Sequence, residues 1–104
     1  MKYIYVYVTV LSNKDAESIT EHILKGRIAA CVNCFPVKST YLWKGKIEKA
    51  NEYVLLIKTI EQLFPQLERK IKKMHPYKIP CITKINVKPN DEYATWILKE
   101  IGSS

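Results

Sequence analysis

The sequence predicts an α+β fold of the ferredoxin-like kind: a split βαββαβ unit with an antiparallel sheet, a long hairpin between its second and third strands, and an extra C-terminal helix. Three observations predict it. Residues 3–10, YIYVYVTV, alternate tyrosines with aliphatics at the two-residue period of a strand. Two amphipathic helical stretches are separated by a block of strand-like segments. The length, 104 residues, suits one domain with an ordinary hydrophobic core, so residues 1–104 are read as a single domain.

In the first strand Ile4, Val6, Val8 and Val10 share one face, and Tyr3, Tyr5 and Tyr7 the other. Ser12 and Asp15 form an S-x-x-D capping pattern, after which Ala16, Ile19, Ile23 and Leu24 make a helical stripe that stops at Gly26. AACVNCFPV and STYLWKGKI then read as strand, a turn is expected around Glu48 to Asn51, and EYVLLIKT returns as the partner strand. Leu63, Leu67, Ile71 and Met74 line one side of a second helix, which starts near Gln62 or bends at Pro65. HPYKIP is irregular between its prolines, CITKINV is the last strand, and PND caps a terminal helix with Tyr93, Trp96, Ile97 and Ile101.

In this topology both helices cover one sheet face, and the aliphatic face of strand one suits that core. The Tyr3, Tyr5, Tyr7 face is left open and needs a partner. A second copy of the sheet is the favoured one, with the overlong hairpin offering unpaired edges, so Tyr3, Tyr5 and Tyr7 are expected at an oligomer interface.

The formal net charge of +7 suits an anionic partner or simple solubility. Nearly all of it is lysine, Arg27 and Arg69 being the two arginines, and the third strand, EYVLLIKT, lacks the aromatic signature of RNA-recognition sheets. No nucleic acid is expected as a partner. The N-terminal apolar run alternates with tyrosines and meets no cleavage-site pattern, and no segment reaches transmembrane length, so no membrane is expected either. Three cysteines, an odd count without a disulfide pattern, point to a reducing, cytoplasmic setting.

Several spaced motifs in order, AACVN at 29–33, S-x-Y-x-W-x-G-K-I-E at 39–48, Glu52, Lys58-Thr59, HPY-x-x-P at 75–80 and Tyr93-x-x-Trp96, resemble the CutA family. That resemblance implies a tight homotrimer with sheets facing the centre and hairpins pairing across subunits, a shape similar to PII signalling trimers, and a role in tolerance of divalent metals, copper above all. Animal relatives are linked to membrane anchoring of acetylcholinesterase, and no catalytic reaction comes with the family. The copper site it implies for bacterial members uses a first-strand cysteine and paired histidines. Here Val8 and Met74 stand at two of those positions, His75 alone carries over, and Cys81 replaces a common glutamate.

Candidate metal ligands are therefore His75, Cys81 and Cys31. Thiolate and imidazole both suit copper, so His75 with Cys81 is the best local pair, and the competing role for His75 is a cap on helix two. Cys31 and Cys34 form a CxxC, yet residues three apart on a strand face opposite ways, so one ion joins them only across a bulge at Cys34. Cys31 otherwise reads as a packed core thiol, and His22 as a surface residue. Tyr41, Trp43, Lys58, Tyr77 and Trp96 are candidates for a ligand site or an intersubunit cleft. Lys58, in an otherwise apolar strand, calls for a carboxylate across an interface or a bound anion.

Two rival functions are weaker. A PII-like regulator binding a small anion between subunits would be supported by a glycine-rich phosphate loop, but the three glycines are isolated. An acylphosphatase would need an arginine in the loop after strand one, which reads LSNK. The sequence thus reads as a non-enzymatic protein, with copper or another divalent cation as the cofactor to test.

Overall fold

The computed structural model describes residues 1–102. The elements run β1 (Tyr3–Val10), α1 (Asn13–Lys25), β2 (Cys31–Trp43), β3 (Lys46–Ile60), a 3₁₀ turn (Glu61–Leu63), α2 (Phe64–Met74), β4 (Ile82–Val87) and α3 (Asp91–Gly102). The four strands form one antiparallel sheet in the order β2-β3-β1-β4. This is the split βαββαβ arrangement with its added helix.

The alternation in β1 is realised residue by residue. Ile4, Val6, Val8 and Val10 are fully buried, and the intervening Tyr3, Tyr5, Tyr7 and Thr9 are half-buried. Ala16, Ile19 and Ile23 of α1 and Leu67 and Ile71 of α2 close over the aliphatic face, joined by Leu55 and Ile57 of β3. Ser12 caps α1 by accepting the Asp15 N–H at 3.1 Å and donating its hydroxyl to the Asp15 carboxylate at 3.0 Å. At the other end Arg27, not Gly26, takes the left-handed position (φ 54). Its N–H reaches the Leu24 carbonyl while Ile28 N–H reaches Ile23, the paired bonds of a Schellman stop. Pro65 lies in the first turn of α2, where no intrahelical donor is lost, so the helix is neither broken nor bent there.

The hairpin turn differs from expectation. It falls at Lys44 and Gly45, both with positive φ (51 and 79), as a two-residue type I′ turn demands. The polar residues Glu48 to Asn51 belong to β3 and are polar because that stretch is exposed or half-exposed. From Cys31 opposite Lys58 to Trp43 opposite Lys46 the register is unbroken, so no bulge occurs at Cys34. Pro36 is tolerated because β2 is an edge strand. β1 pairs with β3 only from Tyr53 onward. The hairpin beyond that point is a two-stranded arm, which stretches the molecule to 44 × 24 × 22 Å.

A second correction concerns the tyrosine face, which is not wholly open. α3 lies across one end of it: Tyr3 donates to the Ala94 carbonyl at 3.4 Å, and Tyr93 meets Lys58, the strand partner of Tyr5. Ile97 is the fully buried residue of that helix. The end bearing Tyr7 and the arm remain without a covering layer from these helices.

Candidate functional site

Strand parity puts Tyr41 and Trp43 of β2 and Glu48 and Glu52 of β3 on the same side as the tyrosines, because each odd residue of β2 sits opposite an even residue of β3. The loop from α2 to β4 folds back against this side. Between arm and loop lies a groove of about 650 Å³, lined by Tyr41, Trp43, Glu48, Glu52, Tyr77 and Cys81, among others. At its base Tyr77 donates its hydroxyl to Glu52 Oε2 at 2.7 Å. Glu52 is only 7% exposed. Burial, and then the bond to Glu52, push the Tyr77 phenol well above its ordinary range, so it stays a donor.

His75 fixes the loop. Its Nε2 lies 2.7 Å from the Thr9 carbonyl, and its Nδ1 accepts the Tyr77 N–H at 3.1 Å. An accepting Nδ1 requires the proton on Nε2, which donates to Thr9. The ring is 7% exposed and packs against Tyr77 at 4.7 Å between centroids. It therefore stitches the end of α2 to the end of β1, and neither nitrogen keeps a free lone pair for a metal. His75 does stand at the C-cap of α2, where its backbone N–H closes on Ile71, but its ring nitrogens serve Thr9 and Tyr77 rather than the helix carbonyls.

The thiols are dispersed. Cys31 is opposite Lys58 on the tyrosine side and Cys34 is opposite Leu55 on the helix side, so the CxxC cannot chelate one ion. Cys31 is half-exposed and lies outside the main core cluster, in contrast to the packed thiol expected. Cys34 is exposed beside α1, its thiol pushed up by burial and by Glu17. Cys81 is exposed, with Sγ 3.5 Å from Thr83 Oγ1 and 4.0 Å from the Tyr7 carbonyl. Among the described residues no three of His, Cys, Asp and Glu gather as a metal centre needs.

Within the chain Lys58 is met by aromatics. Its Nζ lies 5.3 Å from the ring centroids of both Tyr5 and Tyr93 and 3.4 Å from the Tyr93 hydroxyl. Burial pulls this ammonium's pKa down, but the bond to Tyr93 and the neighbouring Tyr93 and Cys31 outweigh it, and the net shift is upward. Trp96 stacks on Tyr93 at 5.4 Å. Of the five cleft candidates, the fold thus brings Tyr41, Trp43 and Tyr77 together and sets Lys58 and Trp96 in a separate cluster under α3. Glu48 and Glu52, quoted only as motif letters, are the groove residues that pattern reading missed. The signal for Glu52 was a carboxylate two positions before Val54, where the strand face turns apolar through Val54 and Leu56.

The fold and groove define a class: a small ferredoxin-like protein with an extended hairpin arm and an aromatic, carboxylate-bearing cleft beside it. The chain belongs to the CutA1 divalent ion tolerance protein family, whose model matches residues 4–100. It is 39% identical over 94 residues to the divalent-cation tolerance protein CutA of Archaeoglobus fulgidus, covering 89% of this chain and 92% of that one. The corresponding protein of Pyrococcus horikoshii is 38% identical over 98 residues, covering 93% and 96%. The solved Archaeoglobus fulgidus structure superposes with a TM-score of 0.93 at 37% identity, covering 95% of this chain and 98% of that one. CutA1 from Oryza sativa gives 0.92 at 32% identity, covering 96% and 94%.

Proposed function

We propose that this chain serves divalent-cation tolerance as a non-catalytic homotrimer, with the uncovered end of the tyrosine face and the hairpin arm buried between copies. The observation that carries the assembly is the arm itself. It projects beyond β1 and bears Leu42 and Ile47, register partners that are 74% and 72% exposed. An isolated two-stranded ribbon is marginal in water, so such an arm is stabilised by packing on a neighbour. The family's role in tolerance of divalent ions supports the functional half of the reading.

The donors of a single chain do not fit a resident copper or other divalent cation, because His75 is committed to the backbone and the thiols are apart. Any such ion is held between copies, where exposed Cys81 or half-exposed Cys31 could meet a neighbour's donors. The odd cysteine count, with no disulfide pattern, favours a reducing, cytoplasmic location, although the solved Archaeoglobus fulgidus relative is described as periplasmic. The test is complementation of a copper-sensitive bacterial strain lacking its own relative. Restored growth on copper is expected, and growth no better than with empty vector would overturn the proposal.

The second reading is a regulator that takes a small ligand in a cleft between copies. The groove between Tyr41, Trp43 and Tyr77 favours it. Its carboxylates, however, argue against the anionic ligand the sequence suggested.

A further inference from the structure

We propose that the outer face of α2 is a docking surface for linear inorganic polyphosphate, held by Arg69, Lys70 and Lys73. The proposal goes beyond the function proposed above, and its failure would leave the assembly reading untouched.

The surface lies away from the faces assigned to contact between copies. Leu67 and Ile71 of α2 pack into the core on the aliphatic side of the sheet, so the helix backs onto the face opposite the tyrosines. Arg69, Lys70, Lys72 and Lys73 are all exposed on its outer side. Joining copies through the tyrosine face and the arm leaves them so.

Charge singles this helix out. Residues 61–88 carry seven lysines and arginines against two carboxylates, a net +5 of the chain's +7. Both carboxylates are already in ion pairs, Glu61 with Lys84 at 3.0 Å and Lys2 at 3.8 Å, and Glu68 with Lys72 at 3.2 Å. Arg69, Lys70 and Lys73 make no ion pair among the described residues. Lys73 follows Arg69 by four positions and Lys70 by three, so these like charges are neighbours on the helix surface and repel. The helix dipole favours Lys72 and Lys73 in the last turn. Arg69 and Lys70 precede that turn and gain less from it, whereas an anion that bridges the three cations relieves the repulsion.

Shape and side-chain chemistry choose among polyanions. At 3.6 residues per turn Arg69, Lys73 and Lys70 span roughly 100° of the helix circumference. A rigid duplex or a flat bilayer meets a convex helix along one line, while a flexible chain wraps it and reaches all three. Apart from Pro65, the exposed positions of α2 are polar or charged, so nothing there stacks on a base or enters a bilayer. Lysines act as point charges without bidentate geometry, which suits a dense, featureless row of anions. An acidic peptide strand is sparser, with one carboxylate per roughly 7 Å on a given side, whereas polyphosphate carries a charge on every unit. Phosphate oxygens are also hard donors for divalent cations, so this partner brings with it the ions that the family's tolerance role concerns.

The experiment is calorimetric titration of the full chain, in the oligomeric state it adopts, with polyphosphate, duplex DNA, poly-glutamate and anionic phosphatidylserine vesicles at matched charge concentration. Polyphosphate is expected to bind at least about tenfold more tightly than the other three, and more weakly as salt rises. Lys70→Glu with Lys73→Glu should weaken polyphosphate at least about tenfold. Lys25→Glu with Lys88→Glu makes the same change of net charge at exposed positions off α2 and should weaken it less than about threefold. Lys70→Gln with Lys73→Gln, which keeps good helix formers, should give a smaller loss in the same direction, and circular dichroism checks that each variant is folded. Absence of polyphosphate binding, equal or tighter binding of DNA, poly-glutamate or vesicles, equal losses in the two Glu double variants, or full affinity in the Gln double variant would each overturn the proposal.

Discussion

Replacing His75 with Ala is expected to cost stability and to leave copper affinity unchanged. The side chain makes two hydrogen bonds to backbone groups of different elements, the Thr9 carbonyl at the end of β1 and the Tyr77 N–H in the loop. Each such bond contributes about 1 kcal/mol net, and leaving a buried backbone group without a partner costs more than the bond itself. The ring is 7% exposed and packs on Tyr77, so truncation also opens a small void. Together these give a loss of about 2–4 kcal/mol. Urea unfolding followed by circular dichroism measures it, with wild type and variant at one chain concentration because assembly contributes to apparent stability. Copper titration of the folded variant supplies the second readout. A loss below about 0.5 kcal/mol, or a large fall in copper affinity with stability intact, would refute the assignment of His75 as a loop anchor.

Tyr77→Phe removes the partner of a buried carboxylate and should destabilise the fold by about 1–3 kcal/mol at neutral pH. Burial and the Glu52 bond raise the folded-state pKa of Tyr77 above the unfolded value near 10, so its contribution is complete below about pH 10 and fades as pH climbs toward the folded value. The stability difference between wild type and Tyr77→Phe should shrink only in that alkaline window, and a constant difference through it would contradict the shift. Gly45→Ala should lower stability by about 1 kcal/mol in thermal unfolding, because a Cβ there meets nothing but must adopt a φ of 79. Cys34→Ser should leave copper affinity unaltered. Oxidation should likewise yield no disulfide between Cys31 and Cys34, since peptide mapping would have to find a bond across opposite sheet faces.

Local pattern made much of the fold legible. The tyrosine–aliphatic alternation of β1, the Ser12 cap and the stripe of α2 each report a backbone period or a terminal hydrogen bond that neighbouring residues determine by themselves. The hairpin turn was misplaced because Lys44–Gly45 lacks the Asn or Asp that usually marks a type I′ turn, while the exposed polar residues of the arm imitate a loop. The cover that α3 gives to the tyrosines, and the aromatic clasp of Lys58, join positions 35 or more residues apart. No local period encodes such contacts. The groove was half legible: Tyr41 and Trp43 stood out as aromatics sharing a strand face and Tyr77 as part of the proline-bracketed HPYKIP, but Glu52 acquires its meaning only when the loop places Tyr77 over it.

The central claim is that three chains bury the uncovered tyrosine face and hairpin arm together, and native mass spectrometry at micromolar chain concentration tests it most directly. A single dominant species of three chains is predicted, persisting on dilution across the micromolar range. Lys70→Glu, exposed on α2, serves as a charge control, whereas Ile47→Asp together with Leu42→Asp should shift the distribution toward smaller species by placing charge on the apolar tip. A stable, folded monomer of the unaltered chain at these concentrations would contradict the account.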